Sequence, residues 1–121
     1  MGLDTYAARA PGDEEPSEED RRLFEEAGLA LCGGFNSGHG SDGSFRGKVY
    51  SSTVEKVTGV SLYEEWIPPE VVEKMAGAFE LCDPEAVARE DASGPGVGEI
   101  QDLGKFFRIC ANHGLGLIGW F

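Results

Sequence analysis

The chain has 121 residues, of which 40% are hydrophobic, and a formal net charge of −12 at pH 7. This length favours a single domain, and the apolar content is typical of a globular protein rather than a disordered one. A phosphate backbone and an anionic membrane surface both attract basic faces. We therefore expect neither nucleic acid nor a membrane as a partner.

The acidic residues are concentrated at the start of the sequence. Residues 1–20 contain seven acidic side chains against Arg9 alone, so this segment carries half of the net charge of −12. Because it also contains a Pro-Gly pair and lacks an apolar period, we predict an acidic flexible leader over residues 1–16 and a single globular α+β domain over residues 17–121. The leader is either a solvated tail or an arm that docks on a basic partner, and a salt-rich source would also explain the acidity.

The cysteines carry no sign of a metal or redox site. Cys32, Cys82 and Cys110 are widely spaced, and no CxxC pair occurs. Each lies among apolar residues, which predicts buried free thiols and a reducing, cytoplasmic compartment. We expect neither a metal nor another cofactor.

Helix ends are marked by capping residues. The first helix is predicted to begin near Ser17, where Asp20 completes a capping box, and to end at Gly28. Pro69 starts a helix with a regular apolar stripe. In chain order, the helices predicted after the first cover residues 52–58, a turn or two from residue 61, and residues 69–81, 84–89 and 98–113.

A motif that occurs twice predicts two strands. Residues 28–35 read GLALCGGF and residues 114–121 read GLGLIGWF, and each copy follows a predicted helix. Each copy is interpreted as a helix stop followed by a strand, with the two strands as neighbours in one sheet and Trp120 and Phe121 buried. The predicted fold class is therefore α+β, with four to five helices packed on a two- or three-stranded sheet built from strands near 29–35, 45–50 and 115–121.

A glycine-rich loop over residues 33–48 is the first candidate site. Its glycines would let backbone N–H groups approach a ligand, and loops of this length are often functional. The spacing fits neither a P-loop nor a strand-to-helix dinucleotide motif. Candidate ligand-binding residues are His39, Asp42, Arg46 and Lys48, and the alternative is a plain surface loop. No spacing in the chain requires a metal site or a catalytic triad.

The second candidate site is the aromatic, acidic segment that precedes Pro68. Tyr63, Glu64, Glu65 and Trp66 either fill the core or form a partner-binding surface, since Tyr and Trp are favoured at interfaces. Glu64 and Glu65 are adjacent and would diverge on a helix, which argues against a hydrolytic pair of carboxylates.

These observations favour binding over catalysis. The first hypothesis is a small, acidic, non-enzymatic domain that binds a protein partner, with a basic partner favoured by the charge. The alternative is a domain, enzymatic or not, that binds a small ligand or an anion through the glycine-rich loop, with Arg46 and Lys48 holding the anion and His39 as acid or base. Neither hypothesis defines an oligomeric state.

Overall fold

The computed structural model describes residues 3–29, 31, 43–91 and 93–121. Over these residues, five helices pack on a three-stranded antiparallel sheet, which confirms the predicted α+β class. In chain order the elements are β1 (Asp4–Ala8), α1 (Glu18–Ala27), β2 (Ser44–Phe45), α2 (Gly47–Thr58), α3 (Pro69–Leu81), α4 (Pro84–Glu90), α5 (Val97–Asn112) and β3 (Gly116–Trp120).

The central strand of the sheet is β1, which pairs with β2 on one side and with β3 on the other. Thr5 lies opposite Phe45 and Gly119, and Tyr6 lies opposite Ser44 and Ile118. The prediction of a flexible leader over residues 1–16 is therefore wrong for residues 4–8. The strand was missed because it is buried on both faces, so its sequence lacks the alternation of a half-exposed strand.

An ion pair between the half-exposed Arg9 and the buried Asp20 fixes the chain that follows β1. The Arg9 guanidinium donates from Nε and Nη2 to the carboxylate of Asp20 at 3.1 and 2.8 Å, and Asp20 is only 1% exposed. A third nitrogen, Nη1, lies 3.5 Å from the carbonyl oxygen of His113. Arg9 thus joins the end of β1 to α1 and to the end of α5.

Two predicted strands need correction. The prediction near 29–35 lies outside the described residues except for Leu29 and Leu31, which are buried and belong to no strand. The described neighbour of β3 is β1, not this segment. The predicted strand at 45–50 ends after Phe45, since α2 begins at Gly47. Tyr50 and Val54 are both buried and lie one helical turn apart, so residue 50 belongs to the apolar face of α2 and not to a strand.

Several predicted helix ends are confirmed. The Ser17 hydroxyl accepts a hydrogen bond from the Asp20 amide at 3.2 Å, and Gly28 ends α1 in the left-handed region with φ of 64°. Asp83 caps α4 through the amide of Glu85. The helix predicted from residue 52 is longer than expected, but it does end at Gly59.

The core lies between the helices and one face of the sheet, which we call the inner face. Phe106 of α5 stands at its centre, with ring centroids 4.5 Å from Phe24 and 4.9 Å from Phe45. Gly104 lets α5 approach α3, since a Cβ there would lie 3.1 Å from the Cβ of Phe79. Within the described ranges, no helix is both long and apolar enough to cross a membrane.

Candidate partner-binding surface

The segment between α2 and α3 runs along the edge of β3 that does not pair with β1. Ile67 and Leu117 exchange both backbone hydrogen bonds, at 2.8 and 2.9 Å, and the Gly119 amide donates to the carbonyl oxygen of Glu64 at 3.1 Å. The helical turn predicted from residue 61 is therefore wrong. The segment is not helical, and its backbone groups at residues 64 and 67 pair with β3 instead of with helical partners.

Trp66 anchors this segment on the outer face of the sheet, the face opposite the helices. It packs against a small cluster of Tyr6, Ala8 and Ile118. A Cβ at Gly116 would lie 2.6 Å from the Trp66 ring, so the glycine makes room for the indole. Trp66 is half-buried, and it serves mainly as the base of the exposed surface beside it.

Three large aromatic side chains lie exposed beside this cluster. Tyr63, Trp120 and Phe121 are 47%, 57% and 59% exposed, and the rings of Tyr63 and Phe121 meet edge to face at 5.6 Å between centroids. The expectation that Trp120 and Phe121 are buried is therefore wrong. A strand can have one uncovered face, and that property depends on the helices elsewhere in the chain.

A depression of about 220 Å³ opens beside Trp120 and Phe121. It is lined by Tyr6, Glu65, Ile118, Gly119, Trp120 and Phe121. We call the exposed rings, this depression and the neighbouring Glu64 the aromatic surface. Its position follows from the register, which places Tyr6 opposite Ile118 and the next outward pair, Asp4 and Trp120, beside them.

The charge at the depression is negative. Glu64 and Glu65 are exposed, and Glu65 is the one charged residue among those that line the depression in the described chain. Tyr6 donates its hydroxyl hydrogen to the carbonyl oxygen of Asp13. Burial raises the pKa of Tyr6, and the carboxylates of Asp13 and Glu14 raise it further. The phenol therefore stays neutral at physiological pH, and two more carboxylates lie near this face.

The four residues predicted as a partner surface have different surroundings: Glu65 lines the depression, Tyr63 contacts Phe121, Trp66 packs on the outer face, and Glu64 is exposed. The sequence prediction missed the contributions of Tyr6, Ile118, Trp120 and Phe121. One signal was present: an aromatic pair at the end of a predicted strand that ends in Gly-Trp-Phe. What the sequence could not supply was the central strand, which sets Tyr6 beside that pair.

Only half of the glycine-rich candidate site can be placed. His39 and Asp42 lie outside the described residues. Arg46 and Lys48 are exposed at the start of α2, and the Lys48 amide donates to the carbonyl oxygen of Leu3 at 3.1 Å. That donor is therefore not available to an anion at the helix start.

A larger apolar groove, of about 510 Å³, lies between α3, α4 and α5. Phe79 and Ile100 contribute to it, with Glu80 and Arg108 among its charged residues. Arg108 donates to both oxygens of Glu80 at 2.8 and 2.7 Å, which lowers the pKa of that carboxyl and satisfies the ion pair internally. The groove therefore does not present this charged pair to a ligand.

Metal chemistry finds no support in the described part of the chain, where no three His, Cys, Asp or Glu side chains cluster as a metal site would require. Comparisons with known proteins returned no match: no protein family, no curated protein and no solved structure is significantly similar to the chain. The function must therefore be argued from this chain's own surface.

Proposed function

We propose that this protein binds a protein partner through the aromatic surface. The observation that carries the proposal is the grouping of three rings, each about half exposed: Trp120 and Phe121 line the depression, and Tyr63 packs edge to face on Phe121. Single exposed apolar residues are normal on a protein, whereas grouped ones mark interaction sites. Tyr and Trp are also the residue types most enriched among side chains that dominate binding energy.

The energetics of such an interface are favourable. Full burial of one large apolar side chain contributes about 1.5–3 kcal/mol, before the cost of ordering the two partners is subtracted. The backbone that carries the rings is held in place, because the segment 64–67 is hydrogen-bonded to β3 through Gly119 and Ile67. The rings are therefore held in place before binding, which reduces the ordering cost.

The charge favours a basic partner. The chain carries −12 overall, and Glu64 and Glu65 lie exposed beside the rings. A negative face accelerates encounter with a positive one and repels acidic competitors. The mechanism is electrostatic steering to the acidic face followed by burial of the aromatic rings.

A selection from random displayed peptides tests the proposal without first identifying the natural partner. The bait is the wild-type protein, and the selected peptides are then measured on the double variant Tyr63→Ser/Phe121→Ser. Leu81→Ser is the matched control, because Leu81 is 90% exposed on α3. We expect peptides rich in basic and apolar residues whose affinity falls at least about tenfold on the double variant and is unchanged on the control. Equal affinity for all three proteins, or no selected peptide at all, would contradict the proposal.

The alternative function, ligand or anion binding through residues 33–48, stays a prediction. Its described residues, Arg46 and Lys48, are exposed, and neither lines the depression, although Lys48 shares a separate open concavity of about 690 Å³ with Tyr63. No measured contact favours it over the aromatic surface.

A further inference from the structure

We infer that the depression in the aromatic surface receives a single cationic side chain, a lysine or an arginine, of the partner protein. This inference rests on the proposed function and specifies the chemistry of its central contact. The depression holds about 220 Å³, a space suited to one long side chain rather than to a helix or a cofactor.

The lining has the composition of a cation site. Three of its residues are aromatic, Tyr6, Trp120 and Phe121, and Glu65 supplies the negative charge. A cation near the face of an aromatic ring is attracted by the ring quadrupole, most strongly by Trp, and the aliphatic stem of Lys or Arg packs on the remaining apolar surface. Ile118 and Gly119 provide that apolar floor.

The surrounding charges reinforce this preference. The carboxylates of Asp13 and Glu14 act on Tyr6, so the negative potential extends beyond Glu65. Arg9, the basic residue that follows β1, is held by the buried carboxylate of Asp20 through two hydrogen bonds. Its charge is therefore largely balanced, and among the described residues no ion pair ties up Glu65, which is left to meet a partner's cation.

The larger groove offers a useful contrast. It has more apolar volume, about 510 Å³, but its lining includes two bases, Lys105 and Arg108, and the carboxylate among its described residues, Glu80, is already bound by Arg108. A cationic side chain would meet repulsion there. These two sites thus differ in the charge that they accept, and of the two the smaller one fits a cation.

The test uses a peptide from the selection above and a copy in which each lysine or arginine in turn is replaced by norleucine, which keeps the aliphatic stem and removes the charge. Affinities are measured by calorimetry on wild type, on Glu65→Gln and on Trp120→Leu. Glu26→Gln is the control, since Glu26 is exposed on α1 and distant from the lining residues in sequence.

One norleucine position is expected to lower the affinity for wild type about five- to tenfold. The same replacement should cost much less on Glu65→Gln and on Trp120→Leu, and should keep its full cost on Glu26→Gln. Glu65→Gln preserves size at an exposed position, so it remains informative even if Trp120→Leu alters the fold.

Two results would overturn the inference: norleucine without effect at every position, or a norleucine penalty that is the same on all four proteins. If such a peptide still loses affinity on the Tyr63→Ser/Phe121→Ser variant, the aromatic surface binds protein but takes no cation. If affinity is unchanged on that variant too, the proposed function itself fails.

Discussion

The two faces of the sheet differ in what covers them. The inner face packs under the helices, where Phe45 and Leu117 are fully buried with Phe106. The outer face is covered in its middle by Trp66, and Trp120 stays more than half exposed. Both faces are rich in aromatic residues, so composition alone does not separate them. The difference teaches that the same residue type is buried in the core on one face and left exposed to solvent on the other.

The largest expected effect comes from the inner face. Phe106→Ala removes a ring that contacts Phe24 and Phe45, and the cavity should lower the free energy of unfolding by about 3–5 kcal/mol. Phe121→Ala is the matched variant on the exposed surface, and it should cost less than about 1 kcal/mol. Urea unfolding followed by circular dichroism measures both. Similar losses for the two variants would remove the distinction between the faces.

The cover of the outer face is tested by Gly116→Ala. The added Cβ would lie 2.6 Å from the Trp66 ring and would also meet the carbonyl oxygen of Ile67, so we expect a loss of about 2–3 kcal/mol. The matched variant is Gly77→Ala within α3, where a Cβ meets nothing within 4 Å. That change should stabilise the protein by about 0.5–1 kcal/mol, because alanine is the better helix former. Thermal unfolding should show a lower melting temperature for Gly116→Ala and a higher one for Gly77→Ala. A shift in the same direction for both variants would count against the account.

The join between β1 and α1 is tested by Arg9→Gln. The change leaves the buried carboxylate of Asp20 without its charged partner and should lower the free energy of unfolding by about 1–2 kcal/mol, reduced by the exposure of Arg9. Arg22→Gln is the control, since Arg22 pairs with Glu18 on the surface at 3.6 Å. Chemical denaturation measures both variants. If the segment around Arg9 were a flexible leader, Arg9→Gln would lower the free energy of unfolding no more than Arg22→Gln.

The smallest effect is expected at the surface pair of Glu80 and Arg108. Arg108 lowers the pKa of Glu80, so the pair stabilises the fold above the ordinary pKa of a glutamate, and this stabilisation is lost as the pH falls through the lowered value. Glu80→Gln should therefore reduce the urea midpoint slightly at neutral pH and leave it unchanged at a pH below the lowered pKa, where Glu80 is protonated. A difference that persists at acid pH would assign the effect to packing instead.

The sequence predicted the features that depend on local stereochemistry. Ser17, Gly28 and Asp83 act as caps because their side chains or backbone freedom suffice for that role. The sequence failed where a distant segment decides the outcome. Residues 4–8 become a central strand only when β2 and β3 pair with them, and the segment from residue 61 is not helical, because residues 64 and 67 pair with β3 instead.

The candidate site also combines residues that the local sequence predicts with residues that only strand pairing places. Tyr63, Glu64, Glu65 and Trp66 were identified because aromatic and acidic residues stand together in the sequence. Of these four, only Glu65 lines the depression, and the positions of Tyr6 and Trp120 in its lining result from strand register and could not be inferred without β1. Exposure of Trp120 is likewise a tertiary property, since it reflects where the helices are absent.

The most direct test of the central claim is a map of backbone amide NMR shifts as a selected basic peptide is added to the wild-type protein. The account predicts that the largest changes fall on residues 62–66 and 118–121, together with the indole N–H of Trp120. Changes centred on the groove between α3 and α5, with residues 118–121 unaffected, would contradict it.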